Sequence, residues 1–341
     1  MTTRVGINGF GRIGRNFLRA AREQKAFQVV AANDISSPKT LAHLLRYDSI
    51  LGRYPGEVEA TEDSIVVDGQ QIRIFAEPAP GDVNWGALGV EVVVESSGRF
   101  RRAEQARGHI KPGGARKVVI TSPARGEDIT ICMGVNHDAY RPDQHHIISN
   151  ASCTTNCLAP LAKVLHERFG IETGLMSTVH SYTGDQRLLD APHKDPRRSR
   201  AAGLSMIPTS SGAAHAVTKV LPELEGKFHG LALRVPTPDV SIVDFTAVLS
   251  RPTNPEAVNQ ALREYALGPM KGILRVEDEE LVSIDFRGDP HSSVVDAPLT
   301  VMAGDRHVKV LAWYDNEWGY SCRVADLTAL ISQRLRVADP V

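Results

Sequence analysis

Hydrophobic residues in the first half of the chain form short runs that alternate with helical patterns. The stretch "IGRNFLRAAREQ" has the spacing of an amphipathic helix. Continuous apolar runs joined by helices are typical of parallel strands with crossover helices, so this half is predicted to be an α/β domain. The strand-length runs are "RVGING", "FQVVAAND", "VEVVVESSG", "KVVITSP" and "HHIISNASC".

The pattern changes after residue 153. A helix is predicted from about Thr154 to Phe169, although Pro160 lies inside it and lacks a backbone N–H. The run "LMSTVHS" predicts a strand that ends at His180. The stretch 183–205 has no periodic pattern, and a loop of this length in a compact domain is usually functional.

The remainder of the second half is rich in strand patterns joined by turns. Such patterns predict a mainly antiparallel sheet, with helices near 211–222 and 255–267. The predicted strand segments are "LALRVPTPDVSIVDFTAVLS", "GILRVED", "LVSIDF" and "TVMAGDRHVKVLAWYD".

A length of 341 residues favours two domains, because single cores rarely grow this large. We expect residues 1–152 to form the first domain and residues 153–319 the second. A C-terminal helix at about 320–335 is expected to pack back on the first domain. Its apolar positions at helical spacing are Val324, Leu327, Leu330 and Ile331.

Charge and cysteine content exclude several classes of protein. The formal net charge is −1, with acids and bases mixed throughout, whereas a nucleic-acid-binding protein usually has a strongly basic face. Neither a signal peptide nor an apolar run of membrane-spanning length is visible, so no membrane partner is expected. Four cysteines do not make a disulfide scaffold, which favours a reducing, cytoplasmic setting.

The sequence "GFGRIG" places Gly9, Gly11 and Gly14 in the spacing of a dinucleotide-binding turn, between a predicted strand and a predicted helix. Asp34 ends the second predicted strand, where a carboxylate accepts from a ribose 2′-OH and repels a 2′-phosphate. The motif therefore predicts a Rossmann domain that prefers NAD to NADP. A glycine-rich turn without a ligand is the alternative, and the strand, helix and acid argue against it.

Cys153 and Cys157 lie one helical turn apart where a strand gives way to a helix. A helix N-terminus stabilises a thiolate and supplies N–H groups for an oxyanion, and His180 on another strand end could act as acid and base. A metal site lacks further ligands at finger-like spacing, and a disulfide does not suit a reducing compartment. Two inert buried thiols stay an equal alternative on local sequence alone.

At these residues the chain resembles the phosphorylating glyceraldehyde-3-phosphate dehydrogenases of bacterial type. The resemblance covers almost the whole chain and implies an α/β fold, a Rossmann domain plus an α+β catalytic domain. The motifs that carry it are "VGINGFGRIGR", "ASCTTNCLAP", "HSYTGDQ", "ALRVPTPDVS", "GDPHSS" and "WYDNEWGYS".

The resemblance implies a role for each site residue. Cys153 corresponds to the nucleophile and His180 to its acid–base partner, and no metal is implied. The residues implied for NAD are Asn8, Gly9, Gly11, Arg12, Ile13, Asp34, Ser97, Thr121, Asn316 and Tyr320. Those implied for the C3 phosphate of the substrate are Thr183, Asp185, Arg197 and Arg234, and those for attacking inorganic phosphate are Ser152, Thr154, Ser211 and Gly212.

Arg197 lies in a run of basic residues and matches the family's phosphate-binding arginine best, but Arg198 or Arg200 could have that role instead. The implied reaction converts D-glyceraldehyde 3-phosphate, NAD and inorganic phosphate into 1,3-bisphosphoglycerate, through a hemithioacetal and a thioester on Cys153. The resemblance also implies a cytoplasmic homotetramer with the 183–205 loop at a subunit interface.

Two departures from the family pattern lie near the implied anion sites: Ser211 stands for a threonine and Gly184 for an asparagine. They suggest a retuned isozyme, tolerant of electrophiles that alkylate Cys153; alkylation as fast as in an ordinary relative would refute this hypothesis. The enzyme alternative is the related erythrose-4-phosphate dehydrogenase, which lacks the "SSGAA"-type loop. A non-catalytic binding protein on the same fold is the alternative of another class.

Overall fold

The computed structural model describes residues 2–338, which divide into two compact units. The first unit comprises residues up to Ile131, His137–Ala151 and the chain from Ser321 onward. The second comprises Cys132–Asn136 and Ser152–Tyr320. No helix among residues 2–338 is long and apolar enough to cross a membrane.

The first unit is built on a nine-stranded sheet in the order β10-β11-β9-β8-β1-β2-β7-β6-β5. Its elements are β1 (Thr3–Asn8), α1 (Arg12–Ala20), β2 (Phe27–Asn33), α2 (Pro38–Arg46), β3 (Tyr47–Asp48), β4 (Gly52–Arg53), β5 (Val58–Ala60), β6 (Ser64–Val67), β7 (Gln70–Phe75), β8 (Val92–Glu95), α3 (Ala103–Ala106), β9 (Lys117–Ile120), β10 (Ile129–Thr130) and β11 (Ile147–Ser149). The strands from β10 to β7 run parallel, whereas β6 and β5 extend the sheet antiparallel.

The centre of this sheet is apolar on both faces, as the continuous runs predict. Val92, Val93 and Val94 of β8 are fully buried. Trp85 is also fully buried and packs against β1, where a Cβ on Gly6 would lie 2.5 Å from the indole ring. A side chain at Gly6 would therefore displace the indole from the core.

The second unit is built on an eight-stranded sheet whose main path is β13-β14-β12-β15-β19-β17-β16, with β18 beside β19. Its elements are α4 (Cys153–Phe169), β12 (Ile171–Ser181), β13 (Ile207–Ser210), α5 (Ala213–Val220), β14 (Phe228–Val235), β15 (Ser241–Leu249), α6 (Pro255–Leu267), β16 (Leu274–Glu277), β17 (Ser293–Asp296), β18 (Val301–Ala303) and β19 (His307–Tyr314). Pairing is antiparallel except for β12 with β14 and β16 with β17. The α/β prediction with a mainly antiparallel second sheet is confirmed.

Helix α4 covers one face of this sheet and is buried along most of its length. The helix continues through Pro160. Strands β15 and β19 alternate buried and partly buried residues, as a sheet with one covered face requires. The final helix, α7 (Trp318–Ala338), begins in the second unit and continues in the first, where Arg336 pairs with Glu91 at 2.8 Å.

Three segments differ from the sequence prediction. The segment "LVSIDF" is not a strand but contains the 3₁₀ turn Ser283–Phe286, because its apolar residues alternate poorly and Asp285 accepts from the Val282 N–H. The β5–β7 strands carry too short an apolar pattern to be predicted. Residues 132–136 group with the second unit, where Lys163 Nζ donates to the Val135 carbonyl at 2.7 Å.

Candidate active site

The N-terminus of α4 presents the Cys153 sulfur to a ring of donors. Ser152 is the N-cap, and its hydroxyl accepts from the Thr155 N–H at 3.0 Å. That bond satisfies one of the donors that every helix N-terminus leaves open. The N–H groups of Cys153 and Thr154 are directed at the sulfur. An anion that forms at this sulfur therefore meets oriented backbone donors and the helix dipole.

The imidazole of His180, at the end of β12, faces this sulfur. Its Nε2 lies 3.5 Å from Cys153 Sγ, and its Nδ1 lies 2.6 Å from the Ser181 carbonyl oxygen. Arg234 Nη1 also lies 3.0 Å from Nδ1, but the contact with the carbonyl, which only accepts, is shorter and assigns the ring hydrogen to Nδ1, so the lone pair on Nε2 points to the sulfur. The geometry thus selects the one neutral tautomer that can take the thiol proton.

The surroundings shift the pKa values of both groups. Burial, together with the charge of Arg234, lowers the pKa of His180 to about 3. Burial also raises the pKa of the Cys153 thiol, while Arg234 and the Thr154 N–H oppose that rise. At neutral pH the free protein therefore holds a neutral imidazole beside a thiol, which is the arrangement of a general base with its nucleophile.

Cys157 has the other role that the sequence allows. Its sulfur is fully buried, 3.7 Å from both Ser293 Oγ and the Ala312 carbonyl, and burial raises its thiol pKa far above the usual range. All four cysteines lie in the described part of the chain and are free thiols. Within residues 2–338 no cluster of three or more His, Cys, Asp or Glu side chains could hold a metal ion.

A group of charged and hydroxyl side chains surrounds the far side of His180. Arg234 donates to the Ser181 carbonyl at 3.1 Å and to the Thr183 hydroxyl at 3.2 Å. The Thr183 hydroxyl in turn donates to Asp185. Burial opposes ionisation of Asp185, but Thr183 and the nearby arginines outweigh it and hold its pKa below the usual value. Two cations around one carboxylate leave net positive charge, which suits a phosphate.

The second cation of this group is Arg198, one of the two arginines that the sequence left open beside Arg197. Arg198 contacts Asp185 Oδ2 at 3.2 Å and the Thr209 hydroxyl at 3.0 Å. Arg197 is directed away from this group, to the Pro208 carbonyl at 3.5 Å, and Arg200 pairs with Asp190 at the surface. In an irregular loop no periodicity tells which of three neighbouring arginines turns inward.

The residues implied for a second anion site have structural partners. The Ser152 hydroxyl caps α4, and the Thr154 hydroxyl is buried 2.9 Å from the Tyr314 hydroxyl. Ser211 and Gly212 lie at the start of α5, where the Ser211 hydroxyl accepts from the Ala213 N–H at 3.2 Å.

A cavity of about 230 Å³ opens beside the glycine turn of the first unit. Gly9 has φ +88°, and a Cβ there would lie 2.4 Å from the Ser97 backbone. A Cβ on Gly14 would lie 2.3 Å from the Gly9 carbonyl, whereas one on Gly11 would meet open space. Gly9 and Gly14 therefore serve the turn itself, and Gly11 leaves an open approach to the N-terminus of α1.

Asp34 is oriented at the rim of the same cavity. Its Oδ2 accepts from the Phe10 N–H and its Oδ1 from the Ser36 N–H, both at 3.0 Å. The open space at Gly11, the N-terminus of α1 and the oriented Asp34 carboxylate together fit a dinucleotide with a free ribose 2′-OH. Ile13 lies in the first turn of α1. The Arg12 guanidinium donates to the Asp48 carboxylate at 2.9 Å, so the Arg12 side chain stabilises the fold.

Sequence reasoning missed the group that holds the cavity floor, a buried carboxylate at Glu95. Glu95 accepts from the Asn8 amide, from the Ser97 N–H and hydroxyl, and from His109 Nε2 at 2.9 Å. The Trp85 indole N–H donates to His109 Nδ1 at 3.0 Å, which fixes the His109 tautomer. An acid at the end of a buried strand is the signal that could have found it.

The remaining implied cofactor residues are also held by hydrogen bonds or burial. The Thr121 hydroxyl donates to the Glu95 carbonyl at 3.1 Å in the first unit. In the second unit the Ser241 hydroxyl donates to Asn316 Oδ1 at 2.7 Å, and Tyr320 is buried. Burial raises the pKa of the Tyr320 hydroxyl far above its usual value.

Comparison with known proteins identifies the family. The model of the glyceraldehyde 3-phosphate dehydrogenase NAD binding domain matches residues 3–103, and that of the C-terminal domain matches residues 152–316. Glyceraldehyde-3-phosphate dehydrogenase of Geobacillus stearothermophilus is 56% identical over 98% of this chain and 99% of its own length. The Streptomyces coelicolor enzyme of that name is 55% identical over 98% of this chain and all of its own length. The resemblance seen in the motifs is thus confirmed, and the chain belongs to the glyceraldehyde-3-phosphate dehydrogenase family.

Proposed function

We propose that this chain oxidises and phosphorylates D-glyceraldehyde 3-phosphate to 1,3-bisphosphoglycerate with NAD and inorganic phosphate. The observation that carries the proposal is the 3.5 Å contact between Cys153 Sγ and His180 Nε2, beside the Arg234–Asp185–Arg198 group. A nucleophile, its base and a phosphate-sized cationic group then lie within one unit. That combination suits an aldehyde that carries a phosphate.

The first step is addition of the Cys153 sulfur to the aldehyde carbon. His180 Nε2 takes the thiol proton, because its lone pair faces the sulfur. The new alkoxide of the hemithioacetal is stabilised by the Cys153 N–H and by the proton now on His180. Arg234 and Arg198 hold the substrate phosphate, which keeps the aldehyde carbon within reach of the sulfur.

NAD, when bound, supplies the hydride acceptor that turns this hemithioacetal into a thioester on Cys153. His180 first returns the thiol proton to the alkoxide oxygen, which completes the hemithioacetal, and takes that proton back as the carbonyl forms. Inorganic phosphate then attacks the thioester and releases Cys153, so the energy of oxidation is kept in an acyl phosphate. We propose that Ser211 and Gly212 at the start of α5, with Ser152 and Thr154, guide that phosphate.

The proposal assigns the cofactor to residues 1–152 with the C-terminal helix, and catalysis to 153–319. Gly9, Gly11 and the first turn of α1 would receive the pyrophosphate, and Asp34 the adenosine ribose. Asn316 would hold the nicotinamide carboxamide and Tyr320 would lie beside the ring, as the resemblance implies. The Asp34 carboxylate supports NAD over NADP because a 2′-phosphate would meet like charge.

Features of this chain distinguish the proposed function from the alternatives that the sequence left open. Erythrose-4-phosphate dehydrogenase is disfavoured by the "SSGAA" segment that carries Ser211 and Gly212. A non-catalytic binding protein would not need a tautomer-fixed histidine at a thiol. The retuned, inhibitor-tolerant isozyme stays a hypothesis. At Gly184, a Cβ would meet open space, so the backbone does not demand a glycine there.

We propose a cytoplasmic homotetramer. The loop between β12 and β13 exposes Leu188, Leu189, Leu204 and Met206. Neighbouring exposed apolar side chains mark a protein interface, and a second copy of this chain is the proposed partner. Sedimentation velocity that gives a monomer at micromolar concentration would refute the tetramer. The four free cysteines suit a reducing cytoplasm.

Steady-state assays that vary one reactant at a time test the function. We expect reduction of NAD that requires both glyceraldehyde 3-phosphate and inorganic phosphate, with much lower kcat/KM for NADP and for erythrose 4-phosphate. Equal turnover without inorganic phosphate would contradict the phosphorylating reaction, and preference for erythrose 4-phosphate would select the alternative dehydrogenase.

Substitution of Cys153 tests the thiol mechanism. Cys153→Ser should lower kcat by roughly 10⁴-fold or more, since a hydroxyl is a far weaker nucleophile beside a neutral imidazole. Cys157→Ser is the matched control: its hydroxyl can donate to the Ala312 carbonyl, and kcat should stay within about twofold because this residue does not reach the substrate. Undiminished activity of Cys153→Ser would refute the mechanism.

Paired arginine variants test the phosphate group. Arg198→Gln should raise KM for glyceraldehyde 3-phosphate roughly 10- to 100-fold, because a charge-assisted hydrogen bond contributes about 1.5–3 kcal/mol. Arg197→Gln should change KM by no more than about twofold, since its side chain is directed elsewhere. A larger effect at Arg197 than at Arg198 would restore the original assignment.

Two glycine variants separate ligand binding from folding. Gly11→Ala should weaken NAD binding about tenfold or more while Tm stays close to wild type, because its φ of −73° suits alanine and its Cβ faces open space. Gly14→Ala should lower Tm, because its Cβ would collide with the Gly9 carbonyl. Calorimetric titration with NAD and thermal denaturation measure the two effects; unchanged affinity in Gly11→Ala would argue against this cradle.

A further inference from the structure

The catalytic unit contains a second buried carboxyl pair that the proposed chemistry does not use. Asp239 lies between β14 and β15 and is 5% exposed, and Asp315 follows β19 and is 1% exposed. The two side chains lie within hydrogen-bonding reach of each other. Two adjacent carboxylates away from water repel each other strongly, so one of them must be compensated.

Asp315 is the compensated member. Its Oδ1 accepts from the N–H groups of Glu317 and Trp318 at 2.9 and 2.6 Å, and its Oδ2 accepts from the Gly288 N–H at 2.8 Å. Three backbone donors stabilise an ionised carboxylate. Asp315 therefore caps the start of α7 and ties it to the loop that carries Gly288.

Asp239 has the opposite surroundings. Among the described residues neither of its carboxyl oxygens makes a hydrogen bond of good geometry. The Val240 N–H faces the carboxyl and favours its ionised form, but burial and the charge of Asp315 have the larger effect on its pKa. A bare carboxylate in this position would be unsolvated and beside a like charge, which is among the costliest states of a buried group. A proton on Asp239 removes both penalties and supplies the donor that the pair lacks.

We infer that Asp239 is held protonated and donates its O–H to Asp315, as a positioning residue that clamps the turn carrying the groups beside His180 and Asn316. The hydrogen bond joins the turn before β15 to the segment before α7. The part concerning Asn316 rests on the proposed function, because that function gives Asn316 its role toward the nicotinamide.

The turn after Asp239 needs such a clamp because its backbone is strained. Val240 has φ +65°, a conformation that a β-branched residue rarely adopts. Its carbonyl accepts from the Ser181 hydroxyl at 2.7 Å. The next residue, Ser241, accepts from the Ser181 N–H at 3.1 Å and donates to Asn316 Oδ1 at 2.7 Å.

This turn is thus linked to His180 through Ser181 and to Asn316 through Ser241. Ser181 supplies the carbonyl that fixes the His180 tautomer, and Ser241 holds the amide oxygen of Asn316. Ionisation of Asp239 would place two negative charges side by side and push the turn away from the segment before α7. The orientation of Asn316 would loosen first, since Asn316 directly follows Asp315.

The charges around the pair favour the proton. Burial, together with the charges of Asp315 and Glu317, raises the pKa of Asp239 to about 8. On the loop packed against Asp315, Arg287 is exposed and Asp289 is paired with His291 and Arg275. His180 on β12 is neutral above its pKa of about 3, so it adds no charge near neutral pH.

The stability of an isosteric variant tests the buried proton without any catalysis. Asp239→Asn keeps the shape and can donate its amide N–H to Asp315. Below about pH 4 the folded and unfolded wild-type chains both carry the proton, and between about pH 4 and 8 only the folded chain does. The unfolding constant of wild type relative to Asp239→Asn should therefore rise about tenfold per pH unit in that window and level off above it.

Asp244→Asn is the matched control, because Asp244 lies on β15 and pairs with Lys309 at 2.8 Å at the surface. Its stability relative to wild type should lack that tenfold slope. Asp239→Ser guards against an asparagine variant that folds poorly, and should show the same slope as Asp239→Asn. Infrared difference spectra of wild type minus Asp239→Asn at pH 6 should contain the C=O stretch of a protonated carboxyl, lost by pH 9.

The activity arm tests positioning. From pH 8 to 9.5, KM for NAD should rise in wild type relative to Asp239→Asn, with a smaller change in KM for glyceraldehyde 3-phosphate.

A flat stability difference, a missing carboxyl band, or a bound cation retained by dialysed wild type but not by Asp239→Asn would overturn the buried proton. Equal NAD profiles in the two proteins would overturn the positioning role. An inactive wild type with the expected slope and band would refute the proposed function alone.

Discussion

The hydrogen bond from His180 Nδ1 to the Ser181 carbonyl is the constraint on which the catalytic group depends. It decides which ring nitrogen keeps a lone pair, and only that tautomer can take a proton from Cys153. Arg234 donates to the same carbonyl, so His180 and the arginine that we propose to bind phosphate share one acceptor. Because that carbonyl lies at the end of a buried strand, the sheet fixes the positions of His180 and Arg234 relative to each other.

The structure treats its buried carboxylates in two contrasting ways. Glu95 accepts hydrogen bonds from the Asn8 amide, from His109 and from the N–H and hydroxyl of Ser97, so its buried oxygens all have donors. Asp239 makes no hydrogen bond of good geometry among the described residues and lies beside a second carboxylate. The hydrogen bonds around Glu95 hold the residues beneath the glycine turn in place. The turn at Asp239 instead depends on a proton shared with Asp315. Glu95 and Asp239 both lie directly behind residues that the family resemblance assigns to the cofactor.

Much of the fold followed from local patterns. The parallel strands β1, β2, β8, β9 and β11 were predictable because each lies in a continuous apolar run, and the helices α4 and α6 (Pro255–Leu267) because each is long. The segment "LVSIDF" was wrong because a short apolar run is compatible with strand and 3₁₀ turn alike. The sequence favoured Arg197 and left Arg198 and Arg200 open, because the loop between β12 and β13 has no period from which side-chain direction can be read.

The sequence by itself determined the family, the glycine turn with Asp34, and the identity of the thiol and its histidine. These depend on residue type and spacing, which survive without coordinates. Only the tertiary structure decided which arginine joins Asp185, which His180 nitrogen faces Cys153, and that Asp239 meets Asp315. Those outcomes depend on contacts between residues far apart in the chain, and pKa values follow from burial and neighbouring charge that no local pattern contains.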